Sequence, residues 1–450
     1  MLESLNDRDE QEMFLASNTM FKTKGVKNMK RKMLVFALVL SVLGMGLFAN
    51  GTKETVASPV KIKISTWTSN KDQLALLGSF VNEFAEKKGI TIEPEFESIA
   101  FAEYTTKLSL ELQGSEAPDV FWVLETAAPV FIKSGLMAKL NDAMAEYDPS
   151  DFSEPAMGLW KKGNDVFGIP FSTSPFFMLY NADLFAKAGL ETPEEMAKKG
   201  TWTWENFAKT CKTLKDETGV WGFQTVDGGG YDARILQNLM PMVRSYGGDA
   251  WSDDGKILIN SPESVAAIQL FHDMVFADKS VVPPGDQSDF FAGDAAMTVG
   301  QISRVSKLKD ASFSWGMAPM PAGPKGDVPI IGQAAIAANA KSTNGKLAAE
   351  LVAYMTSESC VTRMAGIWPP ARKSVLESEA FLSSNPLVKP EQMQISVANS
   401  IKTGRVLPSN VQYPQIEVES KMVWDKLWKS NADVKAICDE VAAIYAKYIK

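Results

Sequence analysis

GIPFSTSPFFMLYNADLFAKAGL, from Gly168 to Leu190, is the stretch whose reading decides the fold. Gly168-Ile169-Pro170-Phe171 is a short apolar run broken by a proline. Ser172-Thr173-Ser174-Pro175 is small and polar, and Phe176 to Tyr180 is a second apolar run. Asn181-Ala182-Asp183 then opens a helical pattern that stops at Gly189. The pattern predicts a strand, a small-residue crossing, a second strand and a capped helix. Pro170 and Pro175 cannot donate to a ladder, which argues against one continuous central strand. A chain leaving one sheet for another through small polar residues makes an interdomain hinge. An ordinary strand pair within one sheet is the competing reading.

Upstream, Val60-Lys61-Ile62-Lys63-Ile64 alternates and predicts a first strand, followed by a helix from Asp72 to Lys88 that ends at Gly89. Ile90 to Phe96 predicts a second strand, Glu103 to Leu112 a second helix, and Pro118 to Trp122 a nearly all-apolar third strand. Alternating strands and helices with apolar strands imply a parallel sheet. In open sheets of this kind ligands bind beyond the carboxyl ends of the strands. Trp67 and the run Asp119–Trp122 are expected at such places.

The stretch Gly168–Leu190 resembles the segment between the lobes of extracellular carbohydrate-binding proteins of bacterial ABC importers, the maltose-binding-protein-like group. That group carries a similar "(Y/G)-I-P…YN-x-D-L-F-x-x-A-G-L" run followed by "P-x-T-W-x-E", where this chain has Thr201-Trp202-Thr203-Trp204-Glu205. Phe290 to Gly300 resembles the group's "F-x-x-G-x-A-A-M-x-x-G", Trp315 to Pro321 its "W-x-x-x-P-x-P", and Trp368 to Ser374 its "P-x-R-x-S" loop. The likeness runs from about Val60 to the C-terminus. It implies an α/β, two-lobed periplasmic binding protein fold (type II-like) with discontinuous lobes joined by a multi-strand hinge. The expected N-lobe is 60–170 with 297–335, and the expected C-lobe is 171–296 with 336–450.

The chain has 450 residues, enough for about two or three domains, and its composition is that of a soluble globular protein. A net charge of −8 gives no nucleic-acid footprint. A single histidine, His272, counts against His-based metal sites and Ser/His/Asp triads, so neither a metal nor a cofactor is expected. Cys211, Cys360 and Cys438 are far apart and read as small buried hydrophobes rather than a disulfide framework. The glycines of Asp227–Tyr231 match no phosphate-binding spacing.

Lys30-Arg31-Lys32 followed by the apolar run Met33–Ala49 is a secretory signal peptide pattern, expected over 29–51. Residues 1–28 read as a mis-assigned start or extension, and 52–59 as a linker. Asn50 stands where a lipoprotein signal has cysteine, which counts against lipid anchoring. A periplasmic or extracytoplasmic location follows from the leader.

A sugar offers hydroxyls that need paired donors and acceptors, and C–H faces that pack on aromatic rings. The candidate ligand-binding residues are Trp67, Asn70 and Lys71 after the first strand, Asp119 and Trp122 at the third, and Ser172 and Ser174 at the crossing. Trp122 resembles the stacking tryptophan of the maltose binder. Tyr231 follows the glycine loop, and Trp368 and Arg372 lie in a loop that faces the cleft in the group. Each has a structural alternative: core packing for the tryptophans, solvation for Lys71, a cap or turn for Asp119, and small size alone for the serines. Where the group commonly has a further tryptophan, this chain has Ile302, with Arg304 close by as a source of polar contacts.

The resemblance implies capture of a sugar or oligosaccharide by a monomer that docks on ABC permease subunits, without enzymatic activity. A secreted carbohydrate-active enzyme, needing two paired carboxylates, is the alternative from another class. A ligand sensor presenting to a receptor is a third. A glycerol-phosphate ester is an alternative ligand.

Overall fold

The computed structural model describes residues 58–152, 154–225, 231 and 234–450. The expected leader, the extension before it, most of the linker and the glycines at 228–230 lie outside the described residues. Among the described residues no helix is long and apolar enough to cross a membrane.

Strand β1 (Val60–Thr66) buries Ile62 and Ile64 on alternate positions. Helix α1 (Lys71–Lys88) begins where the Asn70 side chain accepts from the Asp72 and Gln73 N–H groups, and ends at Gly89 with φ 66°. Strand β2 (Ile92–Ser98), helix α2 (Tyr104–Glu111) and strand β3 (Val120–Leu124) follow. β1 pairs in parallel with β2 on one edge and β3 on the other.

Strands β4 (Ile169–Pro175) and β5 (Phe177–Asn181) fall on the two apolar runs. Helix α3 (Ala182–Ala188) is capped by Asn181 and stopped by Gly189 at φ 68°. The second half of the fold contains α4 (Trp204–Thr218), α5 (Ile235–Tyr246), α6 (Pro262–Phe276), β6 (Met297–Gly300) and β7 (Trp315–Ala318). Then come β8 (Ile330–Ala338), α7 (Gly345–Met355), α8 (Glu358–Met364), β9 (Arg405–Val406), α9 (Tyr413–Trp424) and α10 (Val434–Tyr448).

Two sheets result. The large one runs β9-β8-β3-β1-β2, with β4 on the free edge of β8; the small one runs β6-β5-β7. β8 is antiparallel to both β3 and β4, so the large sheet is mixed rather than all parallel. Between β8 and β4 the register slips. Ala334 faces Ser172 while Ala335 faces Pro170, which leaves Phe171 as the bulged residue. Pro170 has no N–H to give the ladder, so a bulge beside it costs little.

The expected division of the lobes changes at all three boundaries, the first because β4 keeps 171–175 with the large sheet. β6 and β7 lie on the two edges of β5, so 297–318 stands with the small sheet and not with the large one. The five residues of β5 are all buried, and both rows of backbone groups need partners. Beyond residue 338, α7 packs on α1 and β8, and the buried side chains as far as Ala398 belong to the core of the large sheet. Residues 407–449 pack with α4, α5 and α6. The chain therefore passes between the sheets at β4–β5, at β8 and again near Gly404–Val406.

Candidate functional site

Trp67 directly follows β1 and is half-buried. Its ring lies 4.7 Å from Trp122, 5.1 Å from Tyr104 and 6.4 Å from Phe171. Trp122 is 4.6 Å from Phe171 and 5.3 Å from Trp368, and Phe171 is 5.7 Å from Trp368. Three expected residues and the bulged Phe171 thus form one aromatic nest, drawn from β1, β3, the crossing and the loop before Arg372. Most of these rings meet edge-on, the favoured arrangement of aromatic quadrupoles. The Tyr104 hydroxyl braces the floor: it lies 3.0 Å from the Ser65 carbonyl oxygen and accepts from the Trp122 N–H at 3.2 Å. Burial pushes its pKa up.

Four buried polar atoms of β1, β3 and β4 are without partners. Trp122 Nε1, Thr173 Oγ1, Ser174 Oγ and Ser65 Oγ are buried and make no hydrogen bond. Leaving a buried polar group unpaired costs about 1–3 kcal/mol. A polar guest bringing hydroxyls would relieve that cost. Ser172, also buried, faces Ala334 on β8. The crossing is tied to the small sheet through Gln301, whose Nε2 donates to the Ser174 carbonyl at 3.0 Å.

Glu125 is a candidate that the sequence reading missed. It follows β3 at its carboxyl end and is 5% exposed. Its N–H donates to the Gln333 carbonyl at 3.1 Å, and its carbonyl accepts from Ser409 at 3.3 Å. Burial pushes its carboxyl pKa up to about 7, against the opposing pull of the Arg234 charge and backbone hydrogen bonds. The signal was present: β3 runs to Leu124, two residues past Trp122, so its carboxyl-end loop begins at Glu125.

Other expected residues are placed elsewhere. Asp119 lies at the opposite end of β3 from the nest and has a structural role. It accepts from the Lys63 N–H at 2.9 Å and from Asn344 at 3.3 Å, and also from the Ser342 hydroxyl. A residue that precedes a strand parallel to β1 falls at the amino end, away from a carboxyl-end cleft. Arg372 is 3% exposed and turned inward. It donates to the carbonyls of Thr356, Asp148 and Tyr147, pairs with Asp151 at 3.2 Å and covers the Phe152 ring. Its guanidinium is fully engaged inside the large-sheet half, away from the nest.

Asn70 is occupied as the α1 cap, and Lys71 is the exposed first residue of that helix. The Tyr231 hydroxyl donates to the Val282 carbonyl at 2.5 Å, and its ring packs 4.6 Å from Trp428. Arg304 is half-buried in the turn Ile302–Leu308, beside Gln301. Among the described residues no group of His, Cys, Asp and Glu is placed to hold a metal. His272 is buried in α6, with Nε2 2.9 Å from the Lys429 carbonyl. The cysteines are free and buried.

Comparison with known proteins adds an independent line. A family model described as bacterial extracellular solute-binding protein matches residues 79–390. The sn-glycerol-3-phosphate-binding periplasmic protein UgpB of Shigella dysenteriae is 27% identical over 302 residues, 62% of this chain. The match spans 65% of that relative's length. Among solved structures, the ABC substrate-binding protein Lmo0181 from Listeria monocytogenes, in complex with cycloalternan, aligns with TM-score 0.75 and 22% identity. That alignment covers 86% of this chain and 98% of the other. UgpB from Mycobacterium tuberculosis, in complex with glycerophosphocholine, aligns with TM-score 0.72 and 18% identity, covering 87% and 98%. These structures are two-lobed binding proteins and establish the fold.

Proposed function

We propose, from the premise that the chain belongs to the bacterial extracellular solute-binding protein family, that it captures a sugar or oligosaccharide between two lobes and delivers it to an ABC import permease. The observation that carries this reading is the aromatic nest with its unpartnered hydroxyls and indole N–H. Trp67, the half-buried member, offers a ring to a sugar C–H face. Ser174 and Trp122 Nε1 offer hydrogen bonds to hydroxyls, and the Glu125 carboxyl accepts from a neighbouring pair. Bending at the three crossings would bring the lobes together over the ligand. The nest needs no reacting group, in keeping with relatives that are binding proteins of transporters rather than enzymes. Export to the periplasm and action as a monomer complete the proposal.

A second reading, a glycerol-phosphate ester, is favoured by the names of the curated relatives. The buried Glu125 carboxyl disfavours a phosphate dianion beside it, so the sugar is preferred. A disaccharide-sized ligand at roughly −0.3 kcal/mol per heavy atom gains about −7 kcal/mol, near micromolar affinity. A thermal-shift screen of residues 58–450 against sugars, uronic acids and glycerol phosphates tests both readings. A ligand at a hundredfold excess over its Kd adds about 2.7 kcal/mol of stability. A shift with a neutral sugar supports the proposal, a shift only with glycerol phosphates replaces the ligand, and none with either removes the cleft assignment.

A further inference from the structure

We propose that Arg234 is a closure latch: a cation on the small-sheet side that crosses the seam to seat on Phe101 of the large-sheet side. Arg234 stands at the entrance of α5, whose Ile235, Leu239, Met242 and Val243 are in the core of the second half. Phe101 lies in the loop after β2 and is 42% exposed, a large apolar side chain that its own half leaves uncovered. The guanidinium carbon of Arg234 sits 5.0 Å from the centre of the Phe101 ring. A cation over an aromatic face is attracted by the ring quadrupole, and the attraction holds at a partly exposed site.

A further contact and a longer-range attraction make the pair more than a surface accident. The Phe101 ring meets Trp67 edge-on at 5.8 Å, so the latch bears on the wall of the nest. Arg234 also lies within electrostatic reach of Glu125, the buried carboxyl at the end of β3. One cation from the second half thus answers two groups of the first, and both attractions exist only while the halves are together. The backbone of Arg234, through its carbonyl to Asn238, belongs to the start of α5, which leaves the side chain as the part that crosses. The inference rests on the two-lobed fold and not on the identity of the ligand.

The test measures closure directly, without ligand. Spin labels at Leu110→Cys and Val418→Cys, 68% and 73% exposed and in different halves, report lobe separation by pulsed dipolar spectroscopy. The natural cysteines are buried and stay unlabelled. The closed-to-open ratio is expected to fall about two- to fivefold in Phe101→Ala and in Arg234→Met. The double variant should fall no further than Arg234→Met alone, because Phe101→Ala removes a contact that the loss of Arg234 has already removed. Phe101→Leu and Arg234→Gln, which keep bulk and polarity, should reproduce the fall without changing the urea midpoint and so exclude a folding defect. Ratios unchanged in both single variants, or falls that multiply in the double variant, overturn the latch.

Discussion

Nε of Arg244 lies 3.0 Å from Oδ2 of Asp249, and both side chains are almost out of solvent. The Nη1 of the same guanidinium donates to the carbonyls of Arg405 and Val406, the backbone of the third crossing. The pair therefore fastens β9 to α5. Arg244→Met leaves the buried Asp249 with the half-exposed Arg405, 3.3 Å away, as its charged partner and the Ala250 N–H as a neutral one. We expect a loss of about 3–5 kcal/mol in urea unfolding. Arg244→Met combined with Asp249→Leu should lose less, because no uncompensated charge remains.

Burial pushes the Glu125 carboxyl up to about 7 in the folded protein, from about 4.5 for an exposed glutamate. Between those values the native state holds a proton that the unfolded chain has released. Its contribution is thus most favourable below about pH 4.5, declines as pH rises through 7, and is constant above. The decline is ~3 kcal/mol. Glu125→Gln should remove it, so the stability gained by the variant over wild type grows between pH 5 and pH 8. Melting temperatures of the two proteins across that window check the sign.

Ser174 Oγ has no partner to lose. Ser174→Ala should leave stability within about 0.5 kcal/mol of wild type. Affinity for the sugar identified by the screen should fall roughly tenfold, the worth of about one ligand hydrogen bond. Calorimetric titration reads the affinity. An unchanged affinity would place the ligand away from the crossing.

Arg372 and Asp119 should behave in the opposite way. Arg372→Leu strands Asp151 and frees three backbone carbonyls, for a loss of about 3–5 kcal/mol. Asp119→Ala unpairs Ser342 and the Lys63 N–H, for about 1–2 kcal/mol. Ligand affinity of the folded protein should be unchanged in both, which chemical unfolding and titration on the same samples can separate.

Local signals carried the fold well. Gly89 and Gly189 mark helix ends because a positive φ suits glycine, and the small polar run at 172–175 marks a passage between sheets. Trp67 and Trp122, expected at neighbouring strand ends, do meet, with ring centres 4.7 Å apart. Phe171 was not legible, since its place in the nest depends on a register slip against a strand some 160 residues further on. Glu125 was missed because β3 was ended early. Arg372 was misread because a loop motif gives position in the chain but not the direction of a side chain. The division at 297 and 336 failed for a related reason: which edge a short strand joins is decided by its partners, and both edges of β5 were vacant.

β8 is the inner strand of the large sheet, yet it is made of residues 330–338. A ribosome has therefore delivered β1, β2, β3 and β4 long before the strand that joins β3 to β4 exists. Without Ile330–Ala338 those strands cannot complete their sheet, and no N-terminal fragment ending before Ile330 holds a finished large-sheet half. Whichever end of the chain arrives first, the large sheet closes only once residues 330–338 are present.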